Sequence, residues 1–228
     1  MNDQEIRCYQ MFTRVRDFMS ENLADFPAKS LAREKFTLLE AAIADLVKYG
    51  TDETSGRNAG AVSAVNKKLA RQALREQMQV ISRTAARMAE STPGMENNFR
   101  VPRTNGDQAL LNTARAFAAD ATPMKTQFVK WELPESFIED LGAAIEKFEQ
   151  ADNSQNQNRT KSVTATAAID DAIERGKQAV RDLERILRNK YKGENAKLAA
   201  WETASHLERA PHSRKKEINE NTTEEADK

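Results

Sequence analysis

The sequence predicts an all-α protein: an antiparallel helical bundle of five or six long helices with coiled-coil-like seams, a short C-terminal helix and a disordered, charged tail. Three observations predict it. Apolar residues recur at three- and four-residue steps along most of the chain, the spacing that gathers them on one helix face. Only eight Gly and six Pro punctuate 228 residues, and they cluster at a few places, too sparse for a many-turned β fold. Charged residues make up 31% and aromatics 6%, a mixture that suits long helices with thin apolar stripes. The length allows one bundle domain, placed at 1–209, with 210–228 as the tail.

The first helix is expected over about 3–25, with Asp3 as N-cap and Ile6, Tyr9, Phe12, Val15, Phe18 and Leu23 on its buried face. Pro27 enforces the break after Phe26. A second helix is expected over about 30–49, buried through Leu31, Phe36, Leu39, Ile43, Leu46 and Val47, with Gly50 as C-cap glycine. The polar stretch 51–60 carries Gly56 and Gly60 and reads as a loop. A third helix follows over about 61–90. Val62, Val65 and Leu69 start its stripe, and Leu74, Met78, Ile81, Ala85 and Met88 continue it after a small phase shift. Pro93 and Gly94 stop it, and 91–106 is an unusually long connection in which Phe99 and Val101 plug an open end of the bundle.

A fourth helix is expected over about 107–132. Leu110, Ala114, Phe117, Ala121, Met124, Phe128 and Trp131 alternate at four and three residues, a coiled-coil seam. The seam keeps its phase across Pro123, so the helix is expected to kink there without breaking. Pro134 fits the first turn of the next helix, with the seam Ile138, Leu141, Ile145 and Phe148. A polar, Asn-rich gap follows, and periodicity returns at Ile169, Ile173, Val180, Leu183 and Leu187. Heptads counted from the first seam land on Ile169, so one long helix over 135–191 is favoured. The rival is two helices joined near 153–159, because Asn has poor helix propensity. Gly193 is the C-cap, and a short helix over about 194–207 docks through Leu198 and Trp201.

Composition excludes several functions. Lys plus Arg number 35 and Asp plus Glu 35, so the bulk charge expected of a general nucleic-acid binder is lacking. No run approaches the roughly 18 apolar residues of a membrane span. The first residues show no basic and apolar leader pattern. Cys8 is the single cysteine, which rules out an internal disulfide framework and makes a cytoplasmic setting the default.

No catalytic, cofactor-binding or metal-binding residue is expected. Cys8 would need a base and an orienting group, and the two histidines, His206 and His212, lie near the far end. A di-iron bundle needs paired Glu-x-x-His motifs, and none occurs. Zinc finds no cysteine pair or His-x-x-x-His, and no phosphate-cradling glycine loop is present. Adjacent carboxylates such as Glu139-Asp140 point about 100° apart on a helix and do not converge.

Charge is nonetheless uneven. Lys67, Lys68, Arg71, Arg75, Arg83 and Arg87 face only Glu76 in 67–87, whereas 132–152 is acidic, which predicts that these two stretches lie side by side. A second basic stretch, 175–192, places Arg181, Arg185 and Arg188 on one face. The candidate interaction residues are therefore Lys67, Lys68, Arg71, Arg75, Phe99, Arg181, Arg185 and Arg188.

Three stretches carry a resemblance: Asn112-Thr113-Ala114-Arg115-Ala116-Phe117-Ala118-Ala119-Asp120, Ala165-Thr166-Ala167-Ala168-Ile169-Asp170, and Ala204-Ser205-His206-Leu207-Glu208-Arg209-Ala210-Pro211. They resemble segments of an uncharacterised family of bacterial helical-bundle proteins. The resemblance covers most of the chain up to Pro211. It implies a helical, bacterial and cytoplasmic protein and transfers no functional residue.

The functional expectation is a non-enzymatic protein-interaction or scaffold bundle, self-association included, with another protein or a second copy as partner. No membrane and no small-molecule substrate is implied. The alternative is nucleic-acid or polyanion binding through the basic face of the 61–90 helix and the stretch 175–192.

Overall fold

The computed structural model describes residues 1–90, 95–103 and 106–208. The expected tail at 210–228 lies outside the described residues, as does His212. Every regular element among the described residues is helical. In order these are α1 (Asp3–Glu21), a 3-10 turn (Leu23–Asp25), α2 (Leu31–Met88), the single turn α3 (Met95–Asn98), α4 (Asp107–Ala121), a 3-10 turn (Thr122–Met124), α5 (Lys125–Lys130), α6 (Phe137–Lys190) and α7 (Asn195–Ser205).

The second and third expected helices are one helix. α2 runs unbroken for 58 residues through the expected loop at 51–60, and Gly50 caps nothing. An interior glycine costs about 1 kcal/mol relative to alanine, yet the helix persists. The hydroxyls of Thr51 and Thr54 donate back to the carbonyls of Val47 and Gly50 at 2.9 Å, so these polar residues are satisfied inside the helix. α6 is likewise continuous over 54 residues, which decides against a break near 153–159. Ser154 and Thr160 donate to the carbonyls of Gln150 and Asn156 at 2.8 and 3.0 Å, again within the helix.

Packing gathers into two compact units, Met1–Leu46 with Ile169–Lys228 and Val47–Ala168. In the first unit, α1 is capped by Asn2, not Asp3. The Asn2 side-chain oxygen accepts from the Gln4 and Glu5 amides, and the Glu5 carboxylate accepts from the Asn2 amide at 2.6 Å, a reciprocal capping box. Phe12, fully buried, lies across α6 where Gly176 has no side chain; a Cβ there would sit 2.4 Å from the ring. α7 docks through Trp201, edge-on to Phe18 at 5.6 Å between centroids.

A polar clasp closes the end of this unit. Asp25 accepts from the Tyr191 hydroxyl at 2.8 Å and from the Lys197 ammonium at 2.6 Å, and that ammonium lies 4.5 Å over the Tyr191 ring. Arg33 donates to the Phe26 and Leu23 carbonyls at 2.9 and 3.0 Å, fixing the turn at Pro27. Gly193, at φ +94°, ends the α6 corner as expected.

In the second unit, α4, α5 and parts of α2 and α6 share one core. Phe99 sits at its centre, fully buried, with ring centroids 5.3 Å from Phe117 and 5.4 Å from Phe128. Pro123 converts one turn of the expected 107–132 helix to 3-10 geometry, yet the seam stays buried on both sides, through Phe117, Ala121 and Phe128. It ends one step early, for Trp131 is 49% exposed. Glu132 takes a left-handed φ of 63°, the Leu133 amide donates back to Phe128, and the Leu133 side chain turns inward instead.

Two stability changes follow from this packing. Gly176→Ala gains about 1 kcal/mol of helix propensity but forces the immobile Phe12 ring to move, at about 1–3 kcal/mol. Chemical denaturation is expected to show a net loss of up to about 2 kcal/mol for Gly176→Ala. The hydrogen bonds from Lys197 and Tyr191 hold the Asp25 carboxyl below its ordinary range. Its contribution is therefore complete above the ordinary carboxylate pKa and disappears as pH falls through the lower folded value. The stability gap between the native protein and Asp25→Asn is expected to stay constant from pH 7 to about pH 5 and to close below about pH 4.

Candidate interaction surface

Between Gly50 and Lys67 the buried and half-buried positions of α2 are Gly50, Glu53, Gly56, Gly60, Ser63 and Lys67. On α6, from Asp152 to Ser162, they are Asp152, Gln155, Asn158 and Ser162. The steps remain three and four, so this is a helical seam, but its side chains are small or polar. Small residues let helix backbones approach closely. At Gly56 the Cβ position is 3.6 Å from the backbone nitrogen of Ser162, and Asn158 donates to the Ala59 carbonyl at 3.4 Å. Lys67 closes the seam with ion pairs to Asp152 at 2.5 Å and Asp107 at 2.8 Å. A cleft of about 540 Å³ opens beside Gly56, lined by Tyr49, Asp52, Ser55, Asn158 and Lys161.

This seam displaces the apolar residues that the sequence reading places inside. Val62, Val65 and Leu69 are 61%, 59% and 59% exposed. The reason is geometric: each stands two residues beyond an inward position, Gly60, Ser63 or Lys67, about 160° round the helix at 100° per residue. They form an outward stripe on α2. Extending it at three- and four-residue steps reaches Asn58, Thr54, Thr51 and Val47 on one side and Gln72 on the other. All eight positions are exposed and none is charged, in a chain that is 31% charged. The sequence signal was the five-residue gap between Leu69 and Leu74, where one stripe ends and another begins.

The residues expected to interact fall elsewhere. Lys67 is spent on Asp107 and Asp152, whose hydrogen bonds push its pKa up. Arg71 reaches Asp107 at 3.4 Å, and Arg75 donates to the Pro102 carbonyl at 3.0 Å. Lys68 is exposed. Phe99 is core, not surface, as a plug against Phe117 and Phe128 must be. Arg181 pairs with Glu174 at 2.8 Å, Arg185 with Asp182 at 3.4 Å, and Arg188 with Glu184 at 3.0 Å and Glu202 at 3.6 Å. The two basic stretches belong to different units. The expected pairing of the basic and acidic stretches is present in Lys67–Asp152.

Cys8 is buried, and burial pushes its thiol pKa up, which disfavours the thiolate a nucleophile needs. Among the described residues no group of three His, Cys, Asp or Glu side chains is placed to hold a metal ion. No helix among them is long and apolar enough to cross a membrane.

Comparison with family models, with curated proteins and with solved structures finds no match to this chain.

The close approach at Gly56 sets a size limit. Gly56→Ala meets Ser162 at ordinary van der Waals distance and is expected to raise stability by up to about 1 kcal/mol through helix propensity. Gly56→Leu is expected to lower it by about 1–3 kcal/mol, because its branches must enter the α6 backbone. Thermal denaturation of the two variants reads both signs.

Proposed function

We propose that this chain is a non-enzymatic helical scaffold that binds protein through the outward stripe of α2. One observation carries the reading: three aliphatic side chains, each 59–61% exposed, stand in line on an uncharged face 26 positions long. Lone exposed aliphatics need no explanation, but a row of them at helical spacing is what a coiled-coil partner covers. Such a partner inserts its own apolar residues between Val62, Val65 and Leu69 and meets the hydrogen-bonding side chains of Asn58 and Gln72 at either end. A cytoplasmic setting fits the lone, buried Cys8.

The polyanion alternative has less to support it. A phosphate contact requires an available cation, and Lys67, Arg71 and Arg188 already face carboxylates. Among the described residues an enzymatic reading finds no convergent nucleophile, base and orienting group to support it.

The test is site-specific. A photoreactive amino acid replaces Val65 in cells that make the protein, and a control replaces the exposed Gln157 on α6. Illumination is expected to give a protein adduct from position 65 and none from position 157. Equal or absent adducts from both positions would sink the reading.

A further inference from the structure

We infer that the occupant of this stripe is a second copy of the chain, its α2 packed antiparallel on the first about a twofold axis beside Val65. The inference rests on the interaction reading above and adds the identity of the partner.

The stripe is complementary to itself when reversed. A twofold axis at Val65 sets Val65 against Val65 and brings Val62 of each copy opposite Leu69 of the other. Both helices then contribute apolar side chains at three- and four-residue steps, as a helix pair requires. The same operation brings Asn58 of each copy to Gln72 of the other, two amides that each donate and accept.

The charges agree. Arg57, with 71% of its side chain exposed, stands beyond one end of the apolar row, and the exposed Glu76 stands beyond the other. Antiparallel pairing brings Arg57 to Glu76 twice. Parallel pairing would set Arg57 beside Arg57 and Glu76 beside Glu76, so the charges select the antiparallel arrangement. The present partner of Arg57, Glu53, lies one turn back on the same helix at 2.6 Å and does not occupy the outward face.

The inward seam supplies the motive. Glycine, serine and polar residues there forgo the roughly 1.5–3 kcal/mol that each buried leucine or valine would contribute. This stretch of α2 therefore has little apolar burial on its inner side, and the outer side holds the aliphatic residues that a second copy would bury. The area sets the strength. A strip about 38 Å long and about 10 Å wide covers roughly 400 Å² on each copy and roughly 800 Å² in all, at the low end of specific interfaces. An area of this size corresponds to a weak, reversible dimer.

Sedimentation equilibrium of the full chain from about 1 to about 300 µM tests this, bracketing the weak range expected for such an area. The native protein is expected to shift from monomer to dimer across that range. Val65→Glu places two carboxylates together at the axis and is expected to weaken association at least about tenfold. Arg57→Glu and Glu76→Arg are each expected to weaken it about fivefold or more, and the double swap to restore it to within about twofold. Circular dichroism checks that helicity is kept; if Val65→Glu loses it, Leu69→Glu takes its place with the same expectation. A native chain that stays monomeric throughout overturns the inference, as does a double swap that fails to restore association. If the chain is monomeric while position 65 still crosslinks to a different protein, self-docking falls and the interaction reading stands.

Discussion

The seam that α2 turns toward α6 keeps its three- and four-residue step even where its side chains become glycine, glutamate, serine and lysine. That constraint organises the rest. From Leu46 through Gly56 and Ser63 to Leu74 the inward positions follow one helical phase, so every residue half a turn away faces solvent whatever its chemistry. Val62, Val65 and Leu69 are exposed for this reason. Hydrophobicity alone would bury them, but a helix cannot bury two opposite faces against one neighbour.

Electrostatics is local throughout. The chain carries equal numbers of acids and bases, and the visible clusters of one sign are answered by the other sign nearby. Lys67 and Arg71 meet Asp107 at the start of α4, where a carboxylate also favours the helix N-terminus. Arg115 reaches Glu149, and Lys125 reaches Glu139 at 2.9 Å, tying α4 and α5 to α6. Exposed pairs of this kind contribute about 0–1 kcal/mol each, so they select neighbours and register more than they stabilise.

Stability resides instead in the apolar core of each unit. In the second unit Phe117 and Phe128 meet the ring of Phe99, which reaches α4 and α5 from an irregular connection. In the first, a phenylalanine ring lies across a glycine of α6, and a tyrosine, a lysine and an aspartate lock the turn after α1 to the end of α6. Within the second unit, the stretches of α2 and α6 that meet at Gly56 are held by close backbone approach and a few polar contacts, and the uncovered aliphatic stripe lies on the other side of α2 there.

By itself the sequence determined the helical class, most of the seams of α1, α4 and α6, and the glycine at 193, while it left Phe99 open between a plug and an interaction residue. Each is a local or periodic signal: a three- and four-residue recurrence, a cap, or an apolar residue amid polar ones. It also carried the continuity of α6, because the heptad count survives the Asn-rich gap. Tertiary structure decided the rest. Gly50, Gly56 and Gly60 punctuate a chain read alone, but the helix runs through all three, and at Gly56 the missing side chain lets the α6 backbone come close, so the loop becomes part of α2. Which of two apolar stripes on α2 is buried was equally undecidable from periodicity, since Val62–Val65–Leu69 and Leu74–Met78–Ile81 obey the same step. Only the position of α6 assigns an inside to that helix, and a face acquires an inside only when something packs against it.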